Sequence, residues 1–161
     1  SKQYIQCAKL LSDPKAAETI CSSLVEKINS KFNNIDIILA PAVGGIVVGY
    51  EVGRQLKIKT IFAERINGKL TLRRGFFIPK QTNVLIIEDV VTRGGRVREA
   101  LDIVQGIGCE VSAVAVLVDR SGGKTDFGVP FVPLVEMSFP TYEPDSLPPE
   151  LEAIPPMKPG S

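Results

Sequence analysis

Apolar residues recur along this chain in two rhythms, and the switching between them lays out a series of strands and helices. Ile35 to Ala40, Val84 to Ile87 and Val111 to Val118 are short, nearly continuous apolar runs. Each is of strand length and lacks the polar alternation of a half-exposed sheet, so each reads as a strand buried on both faces. Lys59-Thr60-Ile61-Phe62-Ala63 is a further strand, ending in Glu64-Arg65, and Phe131 to Val135 is the last. Pro133 assigns that last strand to a sheet edge, because proline cannot donate to a ladder. Between the runs the spacing becomes helical. Ala17, Ile20, Leu24, Val25 and Ile28 predict a helix reaching about Phe32. Ser12-Asp13-Pro14 starts it, with an N-capping side chain and a proline in the first turn, and Asn33-Asn34 breaks it. Ile46, Val47, Tyr50, Val52 and Leu56 predict a second helix, and Val97, Ala100, Leu101 and Val104 a third. Ser1 to Cys7 alternates loosely and reads as a strand, and Ile66-Asn67-Gly68-Lys69 reads as a turn leading into Leu70 to Phe76.

Strands alternating with helices imply an α/β fold: a single domain over residues 1–161, with a central, mostly parallel sheet flanked by helices on both faces. From Ser138 onward prolines dominate, at 140, 144, 148, 149, 155, 156 and 159. The tail 138–161 is therefore expected to be irregular or extended, apart from a possible turn at Glu150-Leu151-Glu152. The first strand begins without preamble, so residues before Ser1 are expected in the natural protein.

Composition narrows the function classes. The chain has 161 residues and a formal charge of +1, with no basic run. The totals give no reason to expect a nucleic-acid or membrane partner. No apolar stretch reaches membrane-spanning length and no signal peptide is visible. The three cysteines, Cys7, Cys21 and Cys109, are scattered. An odd, sparse set without metal-type spacing suits a reducing cytoplasm, each thiol acting as a small buried hydrophobe. Histidine is absent, which removes histidine triads and histidine metal sites and leaves carboxylates, lysines or the substrate itself as bases.

The chemistry gathers between Val84 and Ala100. The buried strand Val84–Ile87 meets two adjacent carboxylates, Glu88 and Asp89, and after Val90-Val91 comes Thr92-Arg93-Gly94-Gly95-Arg96, a turn that opens a helix. Backbone N–H groups in such a turn, together with the positive end of a helix dipole, hold phosphate. A Gly-Gly turn also occurs for steric reasons alone. The acidic pair alters that balance, because carboxylates beside a phosphate cradle repel the ligand unless they engage hydroxyls or a cation. The ligand implied is a sugar phosphate, carboxylates on the ribose diol and turn on the 5′-phosphate. Pro41-Ala42-Val43-Gly44-Gly45 repeats the strand–glycine–helix plan. It either supplies a second set of donors to the same crevice or merely relieves crowding. Arg65, Lys69, Arg73 and Arg74 cluster in the intervening hairpin, which reads as a solvated charged surface or as a mobile cationic lid over a pyrophosphate. Arg120 lies just past a strand's carboxyl end; it either pairs with Asp119 or caps a turn, or it grips a substrate carboxylate bidentately.

The Val84–Ala100 segment resembles the 5-phosphoribosyl-1-pyrophosphate (PRPP) motif of type I phosphoribosyltransferases. Tyr4-Ile-Gln-Cys-Ala, the Pro41–Gly45 turn, Phe62-Ala-Glu-Arg, Leu72-Arg-Arg-Gly-Phe, Asp119-Arg-Ser-Gly-Gly-Lys and Pro140-Thr-Tyr extend the likeness, in order, to the bacterial orotate phosphoribosyltransferases. That resemblance implies transfer of a phosphoribosyl group from PRPP to orotate, giving orotidine 5′-monophosphate and pyrophosphate in pyrimidine synthesis. It implies Mg²⁺ bound mainly through PRPP, and a homodimer with shared active sites. It also implies roles. Glu88 and Asp89 hold the ribose hydroxyls, and Thr92, Arg93, Gly94, Gly95 and Arg96 form the phosphate loop. Val43, Gly44 and Gly45 face the pyrophosphate, Arg65 and Lys69 belong to the covering segment, Arg120 takes the orotate, and Lys2 reaches the orotate or phosphate region. The chain departs from the family at Arg93 and Arg96, where small or hydroxyl residues are usual. Such side chains either crowd the pocket or add a charged contact, and a binding or regulatory relative with little turnover is the alternative reading. An incomplete N-terminal hood, and Ser146 and Glu150 where relatives often have a cysteine pair, are the other departures.

Overall fold

The computed structural model describes residues 5–139, 142 and 147–149. Six strands form one sheet in the order β3-β2-β1-β4-β5-β6, with β1 Ile37–Pro41, β2 Lys59–Ile66, β3 Lys69–Leu72, β4 Asn83–Val91, β5 Glu110–Asp119 and β6 Phe131–Glu136. All neighbours are parallel except the β2–β3 hairpin. The buried residues divide by strand parity. Ile37, Leu39, Val84, Ile86, Val114 and Val116 face one core, while Ile38, Leu85, Ile87, Ala113, Ala115 and Leu117 face the other. This is why those runs are continuously apolar: successive side chains point to opposite faces, and both faces are covered.

On the second face lie α1 (Cys7–Leu11), α2 (Pro14–Asn29) and α3 (Gly44–Leu56); α4 (Gly95–Ile107) covers the first. Asp13 caps α2, its carboxylate accepting from the Lys15 N–H at 2.9 Å, with Pro14 at the first helical position. Lys27 on α2 donates to the carbonyls of Pro133 and Leu134 at 3.0 Å, fastening the helix to β6, which is the edge strand that Pro133 predicts.

Four elements differ from the expectations, the first being β4, which runs on through Glu88 and Asp89 to Val91 rather than ending at Ile87. Cys7 opens a short helix rather than ending a strand. Cys7 and Leu11, spaced i, i+4, both enter the core, and that packing outweighs the loose alternation around Ile5; residues 1–4 lie outside the described chain. The second helix ends at Asn29, and Phe32 packs on the core from the following turn, so apolar spacing outlasts the helix itself. Strand β2 continues through Glu64-Arg65 to Ile66, and Asn67-Gly68 turns it directly into β3. Both turn residues have positive φ, 48° and 81°, the backbone a two-residue hairpin requires. The expected turn at Glu150-Leu151-Glu152, and Ser146, fall outside the described residues. Among the described residues no helix is long and apolar enough to cross a membrane.

Candidate active site

Strand order places the site. Successive strands run outward from β1 to β2 and β3 on one side, and from β4 to β5 and β6 on the other. The central pair β1–β4 is therefore the point where strand order reverses, and ligands of open α/β sheets bind beyond the carboxyl ends there. Both glycine turns leave the sheet at this point. They border a cleft of about 690 Å³.

The turn after β1 is pinned by the Ala42 N–H donating to the Ala63 carbonyl at 2.8 Å, and its Ala42–Val43 peptide is cis. Helix α3 starts at once, at Gly44. A Cβ on Gly44 would stand 2.6 Å from Asp89 Oδ1. One on Gly45 would stand 2.9 Å from the Ile87 carbonyl and 3.1 Å from Glu88 Oε1. These glycines let the start of α3 press against the acidic pair. Val43 and Gly44 line the cleft, whereas Gly45 is buried beneath it.

Glu88 is only 2% exposed although it is a carboxylic acid. Its Oε1 accepts from the Asp89 N–H at 3.0 Å, and its Oε2 is buried with no hydrogen-bond partner. Burial, and then the neighbouring Asp89 carboxyl, push its pKa up to about 8. Asp89 is less buried, with Oδ1 accepting from the Val90 N–H at 2.8 Å. A buried polar atom without a partner needs an explanation; here a ligand hydroxyl reaching Oε2 from the cleft supplies one.

Opposite, Gly94 caps α4 in the left-handed conformation, φ 73°, and no side chain caps the helix. The first N–H groups of a helix have no partner within it, so here they are free for an anion. A Cβ on Gly94 would lie 2.7 Å from the Phe127 ring and 2.9 Å from Thr125 Cγ2, whereas one on Gly95 would meet nothing within 4 Å. Thr92, Gly94, Gly95 and Arg96 all line the cleft. Arg96 Nη1 lies 3.9 Å from Glu88 Oε2.

At the far end Arg120 also lines the cleft. Its backbone N–H donates to the Val91 carbonyl at 2.7 Å, its guanidinium sits 4.9 Å from the centre of the Phe139 ring, and its Nε is buried without a partner. Asp119 is occupied otherwise, accepting from the Ser121 N–H at 2.7 Å. Arg65 reaches the rim, where Glu99 of α4 pairs with it and the Gly68 carbonyl accepts from it.

The structure thus brings Val43, Gly44, Arg65, Glu88, Asp89, Thr92, Gly94, Gly95, Arg96 and Arg120 around one cleft. It does not bring Arg93, which is exposed and absent from the lining, or Lys69, which heads β3. Lys2 lies outside the described residues. Two of the hairpin's four cations are engaged, Arg65 as above and Arg74, which holds Glu64 through two hydrogen bonds, at 2.8 and 2.9 Å. Sequence reasoning missed the wall formed by residues 5–8, where burial followed by the charges of Asp89 and Glu88 push the Cys7 thiol up to about 11. It also missed Glu99, whose second oxygen accepts from the Leu70 N–H at 3.0 Å. An isolated helical glutamate carries no signal of such a partner.

A mostly parallel sheet with two helix N-termini and an acidic pair at its switch point suits a phosphoribosyl transferase domain, and the phosphoribosyl transferase domain family matches this chain over residues 8–127. Among proteins of known activity, the orotate phosphoribosyltransferase of Carboxydothermus hydrogenoformans is 48% identical over 161 residues, covering 100% of this chain and 84% of the relative. That of Methylorubrum populi is 48% identical over 162 residues, covering 100% and 83%. The chain belongs to the orotate phosphoribosyltransferase family. Solved structures agree at the level of the fold. Orotate phosphoribosyltransferase from Aeropyrum pernix superposes with a TM-score of 0.71 at 21% identity, covering 85% of this chain and 80% of that one. Adenine phosphoribosyltransferase from Thermoanaerobacter pseudethanolicus gives 0.73 at 17% identity, covering 83% and 88%. Proteins named for two different bases thus share this fold, and the fold by itself does not name the base.

Proposed function

We propose that this chain transfers the 5-phosphoribosyl group from PRPP to orotate, forming orotidine 5′-monophosphate and pyrophosphate, as a cytoplasmic, Mg²⁺-dependent homodimer. The observation that carries the reading is Glu88: a buried acid with one unpartnered oxygen, beside Asp89 and between two helix N-termini.

The 5′-phosphate seats on the amides at the start of α4, with Thr92, Gly94 and Gly95 around it. The ribose hydroxyls meet Asp89 and Glu88, and the pyrophosphate lies toward Val43, Gly44 and Arg65. Arg120 binds the orotate carboxylate, and the unpartnered Nε makes a guanidinium awaiting an anion a fitting description. The bond from the anomeric carbon to pyrophosphate breaks with its electron pair leaving on oxygen, and the orotate ring nitrogen supplies the pair for the new bond. The ring nitrogen sheds its proton as the new bond forms, and the departing pyrophosphate oxygen takes it up, so no dedicated protein base is required. Among the described residues no cluster of three or more His, Cys, Asp or Glu is placed to hold a metal. The two-carboxylate arrangement fits an ion brought mainly by PRPP, with Glu88 and Asp89 on its ribose side. When bound, Mg²⁺ supplies charge neutralisation on the leaving pyrophosphate. The homodimer is supported by Val43, Val47 and Tyr50, exposed at 78%, 47% and 65% along one side of α3 next to the cleft.

The test is orotate consumption with pyrophosphate release followed in parallel. Coupled consumption and release, lost on omitting Mg²⁺, is the expected result. Absence of turnover while PRPP still raises the melting temperature would instead favour a binding protein, the reading to which the contact between Arg96 and Glu88 lends weight.

A further inference from the structure

Arg96 occupies an electrostatically awkward place. It is the second residue of α4, whose first turn contains no acidic residue, so a cation stands at the positive end of the helix dipole. A cation there needs an anion. Glu99, one turn along, is engaged by Arg65 and the Leu70 N–H, and Arg98 turns away to stack on Phe127 at 5.4 Å. The carboxyl in contact with Arg96 among the described residues is Glu88, with Glu99 adding a weaker charge interaction, and the 3.9 Å separation from Glu88 is too long for a hydrogen bond. Glu88 Oε2, for its part, has no hydrogen-bond donor. The contact is lopsided: the guanidinium side is 56% exposed and free to move, while the carboxyl it touches is fixed in the interior at 2% exposed.

We propose that Arg96 is a transferable cation, resting against Glu88 Oε2 and passing to the ligand's phosphate when that phosphate seats on the α4 amides, which uncovers Oε2 for a ribose hydroxyl. Phosphate arrival and ribose capture are thereby coupled through one side chain. The raised pKa of Glu88 makes release easier, because a carboxyl that holds its proton holds a guanidinium weakly. A guanidinium on a phosphate gains bidentate, charge-assisted hydrogen bonds that it lacks on Glu88. The inference rests on the transferase reading for the identity of the phosphate, but its tests require no turnover.

Ribose 5-phosphate and pyrophosphate, titrated separately by calorimetry, distinguish the two ends of the cleft. In R96S, ribose 5-phosphate affinity is expected to fall about tenfold or more, the scale of a lost charged hydrogen bond, while pyrophosphate affinity changes by less than about twofold. R96K should recover part of the loss, as a point charge without the planar fork. Equal loss for both ligands would reduce Arg96 to a general charge, and unchanged or tighter ribose 5-phosphate binding would make it an obstruction; either overturns the proposal. The transfer itself is read with inorganic phosphate at a pH above the Glu88 pKa. E88Q should tighten phosphate binding in the presence of Arg96 and lose most of that gain in the R96S background. A gain that persists in R96S comes from removing a repelling charge, and no gain means that Glu88 never held Arg96; both outcomes overturn the transfer. Should orotate turnover be absent while ribose 5-phosphate still depends selectively on Arg96, the reaction assignment fails and the inference stands.

Discussion

The turn after β1 and the turn after β4 face one another across the cleft. Both run strand, glycine pair, helix, yet their glycines answer to different constraints. At Gly44 the close neighbour is the Asp89 carboxylate, the movable end of a side chain, and φ is ordinary. At Gly94 the neighbours are the Phe127 ring and Thr125, packed behind the loop, and φ is 73°. The first glycine keeps space for a functional group; the second is built into the scaffold. Gly95 serves neither purpose, since a Cβ there meets open space, and its value lies in the amide it leaves uncovered. Identical letters in a sequence thus carry separate duties, and what separates them is what stands behind the Cα.

The largest effect is expected where backbone and packing both object. G94A must place a Cβ 2.7 Å from the Phe127 ring on a left-handed backbone, and strain with overpacking together should cost about 3 kcal/mol of folding stability. Urea unfolding of the two proteins measures it; a loss below about 1 kcal/mol would show that the loop relaxes freely and that the two turns do not differ in kind.

G44A sharpens the contrast from the other side. The nearest neighbours of its Cβ are the Asp89 carboxylate atoms, from 2.6 Å, and the carboxylate can swing away. Stability should change by less than about 1 kcal/mol, while kcat/KM for PRPP should fall about a hundredfold, the usual cost of misplacing a contact group by an ångström. Steady-state kinetics beside the same urea titration reads both. Equal damage to stability in G44A and G94A would erase the distinction.

The sequence made much of this arrangement legible. Val84–Ile87 reads as doubly buried because its residues alternate between two cores, and an apolar run that meets two acids announces chemistry, although β4 itself runs on through them to Val91. What it concealed depends on partners remote in the chain. Nothing in Cys7 shows that it will wall the cleft beside Asp89, nor in Glu99 that it will hold Arg65. That β1 lies against β4 is likewise a property of the assembled sheet; periodicity yields strands but not their order.

Glu88 lies between the two turns and gives their junction a pH signature. Its folded pKa, about 8, exceeds the ordinary 4.5 because of burial and then Asp89. Between those values the folded chain holds a proton that the unfolded chain has released, so stability is fully present below about 4.5 and is lost as pH rises through 8. In the window pH 6–8 the other groups with shifted pKa values are silent. Glu51, Glu64 and Glu99 are lowered by arginine partners, and the Cys7 and Cys21 thiols are raised to about 11 and 12, so none of these titrates there. Urea midpoints should decline with a slope approaching one proton, about 1.4 kcal/mol per pH unit, and E88Q should flatten the decline. A wild-type slope that survives in E88Q would place the titrating group elsewhere. Because ionised Glu88 receives the hydroxyls, kcat/KM for PRPP should rise across the same range.

The smallest effect belongs to Arg93, and it is the finest probe of the second turn. Arg93 and Arg96 are the same residue type three positions apart, one on either side of Gly94-Gly95. Because Gly94 starts the helix in the left-handed conformation, Arg96 falls in its first turn over the cleft, and Arg93 is left exposed outside the lining. R93T should therefore change the PRPP KM by less than about twofold, within the range of an ordinary surface substitution, while R96S raises it about tenfold. Initial rates at varied PRPP, with orotate saturating, compare the two directly. If R93T matches R96S, the loop turns over in solution to bring both cations to the phosphate, and the geometry of Gly94 does not fix which arginine serves. If R93T is silent, a single glycine dihedral decides which of two identical side chains meets the ligand.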